Sequence, residues 1–161
     1  MTHHILYLIK PRDSLDWTKK AGERLWIPED VTTVQPVHSN DQCAIDTVTH
    51  TLDGMAEWYA EQLKKDLRPL IRAPQTIENE GGLLDLLKRH SLVVASGYNM
   101  SRAIALLQNP QDGWKPGEIL RVKFEMDGPR INKADMGRFI AYPGWEHTTL
   151  EVNPEKLKQY N

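Results

Sequence analysis

Between residues 40 and 67, Ile45, Val48, Leu52, Met55, Tyr59 and Leu63 recur at steps of three and four. That spacing holds them on one stripe of an α-helix. Asn40 supplies an N-cap oxygen for the orphan N–H groups of the first turn. Leu67-Arg68-Pro69 ends the run, because proline disfavours the helical conformation in the residue before it. Such a helix extends ~40 Å, about the full width of a small domain. Gly54 is where it weakens or splits.

Strands flank this helix on both sides. Ile5-Leu6-Tyr7-Leu8-Ile9 is a continuous apolar run stopped by Pro11, the pattern of a strand buried on both faces. Residues 14–24 read as a short helix, with Asp13 or Ser14 as cap and Leu15, Trp17 and Ala21 facing inward. Residues 82–90 read as another helix, followed by the strand Leu92-Val93-Val94-Ala95-Ser96 and a helix capped by Asn99 or Ser101, with Met100, Ala103, Ile104 and Leu107 facing inward. Residues 118–126 alternate: Glu118, Leu120, Val122, Phe124 and Met126 share one face, and Ile119, Arg121, Lys123 and Glu125 the other. A last alternating segment covers residues 147–152. Turn-forming residues mark hinges at 28–36, 68–74, 109–117 and 127–137. The expected fold is α+β, one domain over residues 1–161, with a mixed or split β-sheet and a long amphipathic helix.

Composition narrows the function classes. At roughly 150 residues per domain, 161 residues make one core. Twenty Lys plus Arg against 22 Asp plus Glu give a net charge of -2, which offers no evidence for binding of nucleic acid by bulk charge and leaves room for a local basic patch. Cys43 stands alone and cannot form an intramolecular disulfide or a paired-cysteine zinc site. No apolar run approaches the ~18 residues of a membrane span, and no signal-peptide core follows Met1. A soluble, cytoplasmic protein is expected, with no membrane association.

Phosphate-loop, dinucleotide-fingerprint, nucleophile-elbow and zinc-protease motifs are all absent, and no metal site is expected. His3 and His4 are adjacent and project differently, which suits a solvated terminus better than a metal site. His50 reads as a helix-surface residue. His90, after Lys88-Arg89, reads as a cation favoured at a helix C-terminus. Polar groups gather at three element ends: residues 36–42 entering the long helix, residues 93–101 at a strand-to-helix junction that offers N–H groups to phosphate, and residues 142–147 with an aromatic, a carboxylate and an imidazole beside a turn. Helix capping and ordinary loop packing explain the same residues without a ligand.

Leu6-Tyr7, Trp17, Ala21, Gly22-Glu23 and Val37-His38-Ser39 with Gln42 follow the order of motifs in a small bacterial domain family grouped with the ADP-ribosyltransferase fold. Ser96 before a helix, the 118–126 strand and Glu146 at a strand start fit the broader transferase order, so the chain resembles ADP-ribosyltransferase-like domains. The resemblance implies NAD as substrate and cleavage of its nicotinamide–ribose bond, with transfer to an acceptor protein or nucleic acid. It assigns Glu146 as the catalytic carboxylate that stabilises an oxocarbenium-like transition state. Tyr7 or Tyr98 would flank the nicotinamide ring, Ser96 would orient ribose or support the sheet, and His38 would contact phosphate or a proton acceptor.

Two other classes of function stand beside it. A non-catalytic inhibitor or adaptor would use Trp58 or Tyr59 as an exposed anchor, since consecutive helical residues cannot both occupy the centre of the inner stripe. A nucleic-acid-binding module would use Lys64, Lys65, Arg68, Arg72, Lys88, Arg89 and Arg102, among which Asp66, Glu78, Glu80 and Asp85 are interspersed. Trp17 and Trp26 are expected to build the front of the domain.

Overall fold

A computed structural model describes residues 2–12, 14–100, 118–140 and 146–159. In chain order the elements are β1 (Thr2–Ile9), α1 (Leu15–Gly22), β2 (Gln35–His38), α2 (Gln42–Gln62), a 3-10 turn (Arg68–Leu70), β3 (Gln75–Thr76), α3 (Glu80–Arg89), β4 (Leu92–Ser96), β5 (Glu118–Asp127), β6 (Arg130–Ile140), β7 (Glu146–Leu150) and α4 (Pro154–Lys158). The strands form one mixed sheet in the order β3-β2-β4-β1-β5-β6-β7. Neighbours from β3 to β1 pair in parallel, and those from β1 to β7 pair antiparallel.

The strand β1 is buried on both faces because helices cover both. Ile5, Tyr7 and Ile9, with Leu92, Val94 and Ile119, pack against Trp17 and Ala21 of α1 and Val48, Leu52, Met55 and Tyr59 of α2. Leu6 and Leu8, with Val93, Ala95, Leu120, Val122 and Phe124, pack against the leucines of α3 and Leu157 of α4. Alternation in β5 holds as expected: Leu120, Val122, Phe124 and Met126 are buried in this second layer.

The helix α2 starts later and stops earlier than its stripe suggested. Asp41, not Asn40, is its N-cap, accepting the Ala44 N–H at 2.9 Å. Five residues short of Leu67 the chain leaves the helix: Lys64 turns to φ 54°, and Leu63 N and Lys65 N both donate to the Tyr59 carbonyl. Gly54 does not split the helix. A β-carbon there would lie 2.1 Å from the Lys19 carbonyl oxygen, and one on Gly22 would lie 2.0 Å from that of Thr51. The two glycines let α1 and α2 meet backbone to backbone.

Two strands lie where turns were expected. Gln35–His38 forms β2 at the end of the 28–36 hinge, and Arg130–Ile140 forms β6 across the 127–137 hinge. The turn is confined to residues 128–129, with Gly128 at φ 58° joining the Asp127–Arg130 pair. A bulge at Asn132 then sets the inward residues Ile131, Ala134 and Met136 at uneven spacing. His3 and His4 belong to β1 rather than to a frayed end, and the His4 ring donates from Nδ1 to the Leu87 carbonyl. Trp17 is core, whereas Trp26 is 52% exposed and does not build the front of the domain.

His90 closes α3, its N–H donating to Leu86 O at 2.9 Å. Burial, then the cations of Arg89 and Arg72 and the nearby His4, hold its imidazole below the ordinary 6.5, so the fold favours the neutral ring rather than a capping cation. The unfolded chain takes up this proton first. The His90 contribution is therefore intact above pH 6.5 and is lost as pH falls through 6.5 toward the lowered folded value. In His90→Gln the melting temperature is expected to fall less steeply over that acid window, and identical slopes for the two proteins would contradict this.

No helix among the described residues is long and apolar enough to cross a membrane. Trp58 packs edge-on to the buried Tyr59, ring centroids 5.3 Å apart, and is itself half-buried at the border of the core. In the basic set, Arg68 lies 3.8 Å from Asp53; Arg102 falls outside the described residues, as do Ser101, Ala103, Ile104, Leu107, the 109–117 hinge and residues 142–145.

Candidate functional site at the carboxyl ends of the parallel strands

The strands β1, β2 and β4 end level with one another: Ser96 is in register with Ile9 on one side and His38 on the other. Beyond this line the chain diverges. From β2 it enters α2 on one face of the sheet; from β4 it enters a helical turn at residues 98–100, whose Met100 is buried in the layer on the opposite face. Adjacent parallel strands that send their connections to opposite faces leave a crevice between their carboxyl ends, the usual ligand position in open α/β sheets.

Short polar sequences build its walls. Ser39 N donates to Ser96 O at 3.1 Å, which extends the β2–β4 ladder one residue past His38. Ser96 is fully buried, and its hydroxyl donates to the Ile9 carbonyl at 2.7 Å, fastening β4 to β1. The Ser39 hydroxyl donates to Asp41 Oδ2 at 2.6 Å, while Asp41 Oδ1 caps α2. Gly97 packs closely between them: a β-carbon would come within 3.0 Å of Ser39 Oγ and 2.7 Å of Met100 Cε, so either side chain would have to shift. On the β1 side, Thr47 Oγ1 donates to Cys43 O and accepts from Arg12 N at 3.1 Å, and the Arg12 guanidinium stacks 5.0 Å from the Trp17 ring centroid.

Chemically the crevice binds better than it attacks. Both serine hydroxyl protons are committed, so neither oxygen is paired with a base as an activated nucleophile would be. His38 is half-buried; its Nδ1 donates to the Ser39 carbonyl at 3.1 Å, which leaves Nε2 of the neutral ring as an acceptor. Tyr98 is 50% exposed at the start of the next helical turn. Among the described residues no three His, Cys, Asp or Glu side chains gather as metal ligands.

Of the residues singled out from sequence, His38, Ser96 and Tyr98 are brought to this one edge. Tyr7 is not. It is 2% exposed, its phenol donates to Trp26 O at 2.7 Å, and burial pushes its pKa up to about 12 despite the nearby Arg121, so its ring packs the core rather than flanking a ligand. Glu146 pairs with Ile140, Ile140 with Glu118, and the neighbouring Ile119 with Ile9. Its backbone therefore sits at the same end of the sheet as Ser96 but four strands away, about 19 Å at ordinary strand spacing. Ser39 and Gly97, which meet at the strand ends, lie within the 36–42 and 93–101 segments that the sequence marks by their polar and glycine residues. No family model, curated protein or solved structure matches the chain.

Proposed function

We propose that the protein binds a phosphate-bearing nucleotide, with NAD the leading candidate, in the crevice between the carboxyl ends of β2 and β4. The observation that carries this reading is the Ser39–Ser96–Gly97 junction, where two parallel strands end level, diverge to opposite faces and leave His38 and Tyr98 at the opening. His38 Nε2 accepts from a ribose hydroxyl, Tyr98 offers an aromatic face to a planar ring, and the first N–H groups after Gly97 suit a phosphate.

ADP-ribosyl transfer from NAD to a protein or nucleic acid is the catalytic extension of this reading, on a transferase-like architecture. Nicotinamide departs from ribose as positive charge develops on the ring, and Glu146 is the carboxylate assigned to stabilise it. Binding without turnover is the second reading. It is favoured by the commitment of both serine protons and by the four-strand separation between Ser96 and Glu146.

Titration calorimetry with NAD, ADP-ribose and adenosine monophosphate tests the proposal. Saturable binding is expected, weakened at least tenfold in both His38→Ala and Gly97→Val. Absence of heat with all three ligands in a folded protein overturns it. Nicotinamide release lost in Glu146→Gln selects the transferase reading, and binding without release selects the other.

A further inference from the structure

A second polar concavity lies on the α1–α2 side of the sheet, away from the carboxyl-end crevice. Beyond Ile119 the residues of β5 on this face are Glu125, paired with His3 and Lys133, and the cations Arg121 and Lys123, in register with Tyr7 and Ile5 of β1 and with Gly137 and Asp135 of β6. The two cations floor two adjoining cavities of about 440 and 320 Å³ that share Lys123. Trp26 and Asp30 line the first, and Arg121, Asp135 and Thr149 the second. Each is within the size range of small-molecule sites, and larger than one inorganic ion needs.

Neither cation on this floor is held in an ion pair, although Asp30 and Asp135 line the same cavities. No carboxylate among the described residues lies within 4.0 Å of Arg121 or Lys123, and the nearest acidic neighbour along the ladder, Asp135, is paired with Lys133 at 3.8 Å. Arg121 is half-buried, and its Nε is shielded from solvent without a hydrogen-bond partner. The guanidinium carbon sits 5.5 Å from the centroid of the Trp26 ring, which holds it in place without neutralising it. A shielded donor left unbonded is destabilising, and a second cation two residues along the same strand face adds repulsion. An oxyanion removes both penalties, because a carboxylate or phosphate accepts from a guanidinium in two parallel hydrogen bonds. Beside it the indole of Trp26, 52% exposed, supplies an aromatic surface for the rest of the molecule.

The geometry points to this groove as a binding site for a small organic anion, a carboxylate or phosphate carried on a planar ring, held by Arg121 and Lys123 and flanked by Trp26. The site is independent of the nucleotide crevice.

Benzoate and phenyl phosphate separate the two anion types. Titrated at matched ionic strength and followed by the indole N–H resonance of Trp26, at least one is expected to give a saturable shift. Arg121→Met and Lys123→Gln should each weaken it at least tenfold, and His38→Ala should leave it unchanged. Arg121→Met removes an unpaired charge, so its melting temperature without ligand should equal or exceed that of the parent; Lys123→Gln is the check if it does not fold. Saturation with benzoate alone makes the ligand a carboxylate, and with phenyl phosphate alone a phosphate. A shift that matched chloride reproduces, that both variants retain, or that neither anion produces overturns the proposal.

Discussion

Replacing Gly54 by alanine should lower stability by about 2–3 kcal/mol, although alanine is the better helix former by ~1 kcal/mol. The reason lies outside the helix. The added methyl would meet the Lys19 carbonyl oxygen at 2.1 Å and Lys19 Cα at 2.8 Å, both backbone atoms that no rotamer change can move aside. The helices α1 and α2 must separate, which opens the layer containing Trp17, Ala21, Val48 and Met55. For a chain of this size the loss corresponds to roughly 4–12 °C in melting temperature. Gly22→Ala strikes the same crossing from the other side, at Thr51 O and Met55 N. The double variant should therefore cost less than the sum, because the first substitution has already moved the helices apart. Thermal and urea unfolding of the three variants measures this. A Gly54→Ala protein as stable as the parent, or more so, would mean that helix propensity governs and that the close crossing is not there.

The second large effect is expected at Tyr59. Its hydroxyl accepts the Ile27 N–H at 2.9 Å inside the core, while Tyr7 donates to the adjacent carbonyl of Trp26 at 2.7 Å. Two phenols, one from α2 and one from β1, thus pin the two poles of a single peptide group, the Trp26–Ile27 amide, in the loop between α1 and β2. Tyr59→Phe leaves a buried donor unbonded at a cost of about 1–3 kcal/mol, with little change of shape. Tyr7→Phe leaves a carbonyl short of one donor and should cost less. Beyond the loss in urea midpoint, hydrogen exchange at the Ile27 amide should accelerate by an order of magnitude or more in Tyr59→Phe. Unchanged protection at Ile27 would show that the bond contributes nothing to the fold.

Where one period governed a segment, the sequence disclosed its structure. The 3.6-residue stripe of α2, the unbroken apolar β1 and the alternation of β5 each report burial directly, because a regular element repeats the same environment along the chain. The strand β6 was hidden for the opposite reason: the bulge at Asn132 shifts inward positions from one parity to the other, and Ile131, Ala134 and Met136 then match neither template. The strand β2 is four residues with a proline inside, too short for a pattern to emerge. Helix ends followed capping geometry rather than the apolar stripe, as Asp41 and Lys64 show.

The candidate site was legible in its chemistry and not in its assembly. His38, Ser96 and Tyr98 drew attention as polar residues at element ends, and strand register brings them to one edge. Tyr7 is an inward residue of β1, where the character of its neighbours, not its own phenol, decides its role. The cation pair Arg121 and Lys123 could be placed on one face from alternation alone. Its lack of an ion-pair partner and its meeting with Trp26 depend on how the α1–β2 loop folds back on the sheet, which no local pattern encodes.

The crevice is tested most directly by mapping backbone amide shifts as NAD is titrated into the labelled protein. Saturable changes are expected at His38, Ser39, Gly97 and Tyr98, with Trp26 and Lys123 unaffected at low ligand. A protein that gives no saturable change, or one whose changes centre on Trp26 and Lys123 and leave the strand ends untouched, would contradict the assignment of nucleotide binding to the carboxyl ends of β2 and β4.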